Sequence, residues 1–258
     1  MKKFITSSVE PSIKLAAKLA QDLNVGLEVS RLPGVGRIDT DFDGIIKDLK
    51  ESVKDFHGEI TLHALFSDLN PASRDEAIRK ITLDRYEKSF IAAQNINATN
   101  VVFHSGSRCT KHKGSMQNFR EGSIKFWTKF VKRFEDCGIV ATLENILERD
   151  PFSIPEIVKA VNSPNLKLTL DTGHANICSD IDIVEWVNFY GKDLYHMHVH
   201  NNFGENDDHF GLNRGNIDFV KVLQAAYKNN PNVKIVFEIF DKRELLESVK
   251  TFDKILFV

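Results

Sequence analysis

Three imidazoles, His196, His198 and His200, stand at alternate positions in the stretch LYHMHVHNN, in a chain with nine histidines in all. An extended strand sends alternate side chains to one face, so the three share a face. Glu144 in TLEN, Asp171 in LTLD and Glu238 in IVFEIF are carboxylates flanked by apolar residues. Burying such a charge is costly unless something pairs with it, and a divalent cation is the natural partner. Glu144, Asp171, His198 and Glu238 give three carboxylates and one imidazole. That set suits a hard or borderline ion such as Mn²⁺, Mg²⁺, Co²⁺ or Zn²⁺. His63, His104, His174, Asp207 and His209 are candidates for a second or third site, where added nitrogen favours zinc. Their alternative is to hydrogen-bond substrate or orient the ligands. His196 lies deeper along the strand and reads as a packed, hydrogen-bonded histidine, whereas His200 is nearer the end and could touch substrate. His57 and His112 read as solvated.

The elements that must position these residues alternate from end to end. Strand signals fall at 2–8, 26–31, 59–65, 100–106, 139–145, 166–172, 194–201 and 233–240. Helical patterns fall at 11–23, 42–56, 72–94, 116–136, 154–162, 181–190, 217–228 and 241–254; Ile13, Ala16, Ala17 and Ala20 show the 3.6-residue spacing. Pro11, Pro71 and Pro155 lie near helix starts, where a missing N–H costs nothing. Alternation of this kind predicts parallel strands with right-handed crossovers. Eight units predict one closed (β/α)8 TIM barrel over residues 1–258. No GxGxxG turn favours an open doubly wound sheet; LPGVGRID lacks that spacing. In such a barrel function gathers at the C-terminal ends of the strands. Those ends deliver Glu28, His63, His104, Glu144, Asp171 with His174, His198 with His200, and Glu238. The loop after the seventh strand adds Asp207 and His209.

Bulk properties exclude some partners. With 34 basic and 36 acidic residues the formal charge is −2, which gives no global pull toward nucleic acid or an anionic membrane. No stretch approaches a membrane span, and MKKFITSSVEPSIK lacks the long apolar run of a signal peptide. Cys109, Cys137 and Cys178 are odd in number and far apart, so the expected compartment is a reducing cytoplasm.

The stretches HALFSDLNP, VVFHSGS, TLENI, LDTGHAN, HMHVHNN, DDHFGLNRGNIDF and FEIF resemble the xylose isomerase-like barrels, from about Leu62 to Phe240. That superfamily includes sugar-phosphate isomerases and epimerases and also endonuclease IV. The resemblance to endonuclease IV implies three zinc ions on His63, His104, Glu144, Asp171, His174, His198, Asp207, His209 and Glu238, and cleavage of abasic DNA. Departures stand against it. The nuclease's strand-one histidine is absent from FITSSVE, and its LGEG reads GLNRG here, with Asn213 and Arg214. GLEVSR resembles the strand-two Glu of the carbohydrate branch, and SDLNP its substrate loop.

The leading expectation is therefore a metal-dependent sugar or sugar-phosphate isomerase or epimerase acting on a small carbohydrate through an enediolate. Glu144 and Glu238 would exchange the proton, one as base and one as acid. His174 and His200 would orient hydroxyls. Glu28, His63 and His104 would contact the distal end of the substrate. Arg31, Arg37, Arg108, Lys111, Lys113 and Arg214 are candidate contacts to a sugar phosphate or a DNA backbone. A zinc-dependent abasic-site nuclease is the alternative, the one reading with a nucleic-acid partner. A non-catalytic barrel that binds a ligand is the third.

Overall fold

The computed structural model describes residues 1–107 and 113–255; of Lys113 only the backbone is described. Eight strands pair in parallel, each with the next in the chain, and the eighth closes onto the first. They are β1 (Lys2–Thr6), β2 (Gly26–Val29), β3 (Ile60–His63), β4 (Asn100–His104), β5 (Val140–Glu144), β6 (Leu166–Asp171), β7 (Leu194–Val199) and β8 (Lys234–Phe237). Around them run α1 (Ile13–Leu23), α2 (Phe42–Val53), α3 (Glu76–Asn95), α4 (Lys113–Phe130), α5 (Ser153–Val161), α6 (Thr172–Cys178), α7 (Ile183–Tyr190), α8 (Phe219–Asn229) and α9 (Lys242–Ile255). The expected (β/α)8 barrel is thus the observed fold. Among the described residues no helix is long and apolar enough to cross a membrane.

Local chemistry explains where the helices begin. Ser12, Asp41, Asp75, Asp182 and Asp218 each accept a hydrogen bond from a first-turn amide of α1, α2, α3, α7 and α8. Each satisfies one of the amides a helix start leaves without a partner. α3 starts at Glu76 rather than at residue 72 because Asp75 is the cap, and residues 70–73 form a turn closed by Ala72 N–H on Asn70. The short α6 was not expected from sequence. It is capped by Asp171, whose Oδ1 accepts from His174 N–H at 2.7 Å. Its polar, seven-residue span shows no apolar stripe to reveal it.

The main core lies between strands and helices, with Trp127 and Trp186 fully buried there. Burying a large apolar side chain of this kind contributes about 2–3 kcal/mol. The inside of the barrel is different. Phe4, Val102 and Val236 are buried apolar residues there, but Thr6, Glu28, Thr61, Asn100, Thr142, Thr169 and His196 are buried too. Several of them pair: Thr169 Oγ1 donates to Thr142 Oγ1 at 2.7 Å and Thr61 Oγ1 to Glu28 Oε2 at 2.9 Å. Aliphatic layers usually fill this space. Here a polar column leads to the mouth. At its foot Phe4 packs against Gly26, where a Cβ would overlap the ring.

Candidate metal centre

Parallel register brings the predicted residues together at the C-terminal rim. His104 pairs with Glu144 across β4 and β5, and Asp171 with His198 across β6 and β7. Glu238 follows β8 directly. One ligand atom from each of Glu144, Asp171, His198 and Glu238 falls within 4.8 Å of all the others. His198 Nδ1 is the hub, 2.9 Å from Glu144 Oε1, 3.2 Å from Glu238 Oε2 and 3.7 Å from Asp171 Oδ2. Glu144, Asp171 and His198 are fully buried, while Glu238 is partly open to the mouth.

A second group shares Glu144. His63 Nε2 and His104 Nε2 lie 3.2 Å apart, and 3.3 and 3.5 Å from Glu144 Oε2. That oxygen is buried and has no hydrogen-bond partner among the described residues. An orphaned carboxylate oxygen facing two imidazoles fits a cation better than it fits an empty core. At the outer edge Asp207 Oδ2 lies 3.4 Å from His174 Nε2 and 3.1 Å from His209 Nε2. His200, His209 and Glu238 also bring ligand atoms within 4.8 Å of one another.

Three histidines are aimed from behind. His63 Nδ1 donates to Ala64 O at 2.9 Å, His174 Nδ1 to Asn145 O at 3.0 Å and His209 Nδ1 to Glu238 O at 2.8 Å. With Nδ1 committed to a carbonyl, each Nε2 lone pair faces the mouth, the orientation that metal-ligating histidines adopt. Asn145 holds the neighbouring strand end through both directions of a pair with the Asp171 backbone, at 2.8 and 2.9 Å.

The electrostatics follow from crowding. Burial pushes the Glu144 carboxyl up, but His198, His104 and His63 together hold it well below the usual carboxylate range. Burial also opposes the charge on His198, and Glu238, Glu144 and Glu28 overcome it, so its pKa lies well above that of a free imidazole. His104 goes the other way: burial and neighbouring imidazoles bring it down to about 3, despite Glu144. His209 rises to about 9 against its burial, through Asp207 and Glu238. Opposed shifts in adjacent groups mark a site where charge is concentrated and water is scarce.

Several expected substrate contacts are engaged elsewhere. Glu28 does not reach the mouth; it is fully buried beneath His198, with Oε1 2.8 Å from His198 Nε2. Arg214 is engaged by the protein itself, donating to Glu244 at 2.8 Å and covering the Phe210 ring. Arg37 is likewise paired with Asp41 and Asp48. His196 is fully buried as expected, with Nε2 3.0 Å from Glu28 Oε2 but off the line of a hydrogen bond. His200 is buried rather than open, with Nε2 3.1 Å from Asp171 Oδ2 and its ring against Gly173. Arg108, Cys109, Lys111, His112 and the Lys113 side chain lie outside the described residues. Sequence reasoning missed two aromatic neighbours. Phe66 stacks on His104 at 4.5 Å, and Phe240 on His209 at 4.1 Å. Their spacing, three after His63 and two after Glu238, was the available signal. A cleft of about 850 Å³ opens beside His63 and Phe66, lined also by Ser30, Arg31, Leu32 and Asp68.

Comparison with known proteins identifies the family and matches the fold. The sequence profile of the xylose isomerase-like TIM barrel family matches residues 16–255. An uncharacterised protein of Methanocaldococcus jannaschii is 35% identical over 186 residues, covering 69% of this chain and 64% of that protein. The match thus spans just under two thirds of that relative's length. Among solved structures, a D-tagatose 3-epimerase-like protein superposes with a TM-score of 0.84 at 29% identity, over 99% of this chain and 97% of its own. A Thermus thermophilus protein, TTHB071, soaked with zinc chloride, superposes with a TM-score of 0.82 at 22% identity, over 99% of this chain and 98% of its own.

Proposed function

The chain belongs to the xylose isomerase-like TIM barrel family, and from that premise we propose that it is a divalent-metal-dependent sugar isomerase or epimerase. The observation that carries this reading is the convergence of Glu144, Asp171, His198 and Glu238, with Glu144 and Glu238 each bringing a carboxylate oxygen within 3.2 Å of His198 Nδ1. Those four residues would hold the ion, and the likeness to the D-tagatose 3-epimerase-like protein supports a small sugar as substrate. A bound cation would supply Lewis acidity toward adjacent carbonyl and hydroxyl oxygens and offset the charge of an enediolate.

The protein's own residues do the rest. Glu144 or Glu238 takes the proton from the carbon beside the carbonyl, and the C–H electron pair becomes the new C=C bond while the carbonyl oxygen takes the charge. The other carboxyl returns a proton from the opposite face, giving an epimer, or to the adjacent carbon, giving an isomer. His174, partly open at the rim, orients hydroxyls, and Phe66 and Phe240 keep water from the exchange. The cleft beside His63 receives the distal end of the sugar. Solvent-deuterium exchange tests this directly. Glu238→Gln is expected to lower exchange at the substrate carbon about 10²–10⁴-fold with the fold intact. Full exchange in that variant would remove Glu238 from the mechanism.

One observation favours a second reading, a zinc-dependent abasic-site endonuclease. All nine residues of that pattern meet at the rim, and Glu144 is shared between two groups. The native metal separates the two readings. One manganese, cobalt or magnesium per chain supports the isomerase, and three zincs with incision of an abasic oligonucleotide support the nuclease.

A further inference from the structure

His198 has a carboxylate on each side of its ring. Nδ1 faces Glu144, Glu238 and Asp171 at 2.9, 3.2 and 3.7 Å, and Nε2 faces Glu28 Oε1 at 2.8 Å. A neutral imidazole carries one proton and one lone pair. With the proton on Nδ1, the Nε2 lone pair would press on a buried carboxylate oxygen with nothing between them. With the proton on Nε2, that contact becomes a charge-assisted hydrogen bond. Nδ1 then faces three carboxylates, which it meets as an N–H while the ring is protonated and as a ligand lone pair once a cation lies among them.

Glu28 is built to hold this proton. It is fully buried, so no substrate can reach it. Its second oxygen is occupied: Thr61 Oγ1 donates to Oε2 at 2.9 Å, and His196 Nε2 lies 3.0 Å from the same atom. That leaves Oε1 turned to His198. We propose that Glu28 is the positioning residue of the centre: it accepts the His198 Nε2–H, fixes the tautomer and aims Nδ1 at the ion. This rests on the metal-dependent reading above and adds to it a residue from beneath the rim. Partners of this kind are typically worth about 10- to 100-fold in metal affinity.

The test titrates metal-free protein with Co²⁺ and with Zn²⁺, and reads the His198 tautomer by ¹⁵N NMR of histidine-labelled protein. Zinc-loaded wild type is expected to show His198 protonated on Nε2 alone, with Nδ1 taken by the ion. Glu28→Gln keeps the shape and is expected to bind the same number of ions about 10- to 100-fold more weakly, with the His198 signal moved toward a tautomer mixture. Thr61→Val, which frees Glu28 but leaves its charge, is expected to give a smaller shift of the same sign. It serves as the reading if Glu28→Gln does not fold. Wild-type affinity and tautomer in both variants would overturn the proposal. So would loss of one whole equivalent of metal in Glu28→Gln, since Glu28, His196 and His198 would then be ligands of an ion of their own. A wild-type protein that binds neither ion takes down the parent reading as well. Normal wild-type binding with indifferent variants removes only the role of Glu28.

Discussion

The two ends of the barrel handle buried charge in opposite ways. At the floor, Lys234 Nζ lies 2.9 Å from Glu59 Oε1 and donates to Thr99 Oγ1 at 2.8 Å, beneath the Tyr195 ring. Lys2 meets the other Glu59 oxygen at 2.5 Å, and Thr99 adds a hydroxyl at 2.6 Å. Every charge there has an opposite neighbour. At the mouth, three carboxylates surround one imidazole nitrogen, and Glu144 Oε2 has no hydrogen-bond partner among the described residues. The same scaffold thus pairs opposite charges at its floor and crowds like charges at its mouth. The division between a stabilising bottom and a reactive top is the one expected of this fold.

That contrast breaks if mouth variants unfold the protein or floor variants silence it. The largest expected effect is that of Glu144→Gln. It removes the shared carboxylate of two groups, so metal binding and proton exchange should fall by at least about 10²–10⁴-fold. The melting temperature of the metal-free protein should change little, because the lost pairing with His198 is offset by relief of the crowding with Glu238 and Asp171. A steep drop in that melting temperature would show that Glu144 is a structural residue. Next comes Glu59→Gln, which strands the Lys234 charge. Losing one partner of a buried pair costs roughly 3–5 kcal/mol, and about 2 kcal/mol is expected here because the Glu59 side chain is a fifth exposed. Denaturant unfolding measures it, and metal affinity should not change.

Acidity sharpens the same contrast. Burial opposes the charge on Glu59, yet Lys2, Thr99 and Lys234 bring its pKa down to about 2, from 4.5 for a free side chain. A depressed carboxylate stabilises the fold above its unfolded pKa. That contribution is complete above about pH 5 and is lost as pH falls from 4.5 toward 2. The difference in stability between wild type and Glu59→Gln should therefore shrink across that window; a constant difference would contradict the assignment. The smallest effect is expected of Arg214→Ala. Its exposed pair with Glu244 is worth up to about 1 kcal/mol, and turnover should be unchanged. A tenfold loss of activity would return Arg214 to the substrate.

Much of this was legible in the sequence, for identifiable reasons. Runs such as NVVFH and VATLE combine β-branched residues with a polar end, which announces both a strand and its rim. Glu28 was misplaced because the shear of a barrel is invisible in one strand. Register sets Glu28 beside Thr61, two residues below His63, so the same kind of strand-end acid lies a layer deeper. Arg214 was misplaced because a loop cation can turn to any nearby acid, and Glu244 lies thirty residues away in the chain. The aiming carbonyls of Ala64, Asn145 and Glu238 could not be read at all, since every residue has one.

Asp171 serves two masters with its two oxygens. Oδ1 closes the first turn of α6 on the His174 amide, while Oδ2 looks toward His198 and His200. A ligated carboxylate cannot swing, so occupancy at the rim should clamp that turn shut. Slower deuterium uptake at the His174 peptide proton would then act as a built-in gauge of loading, legible without knowing what the protein turns over.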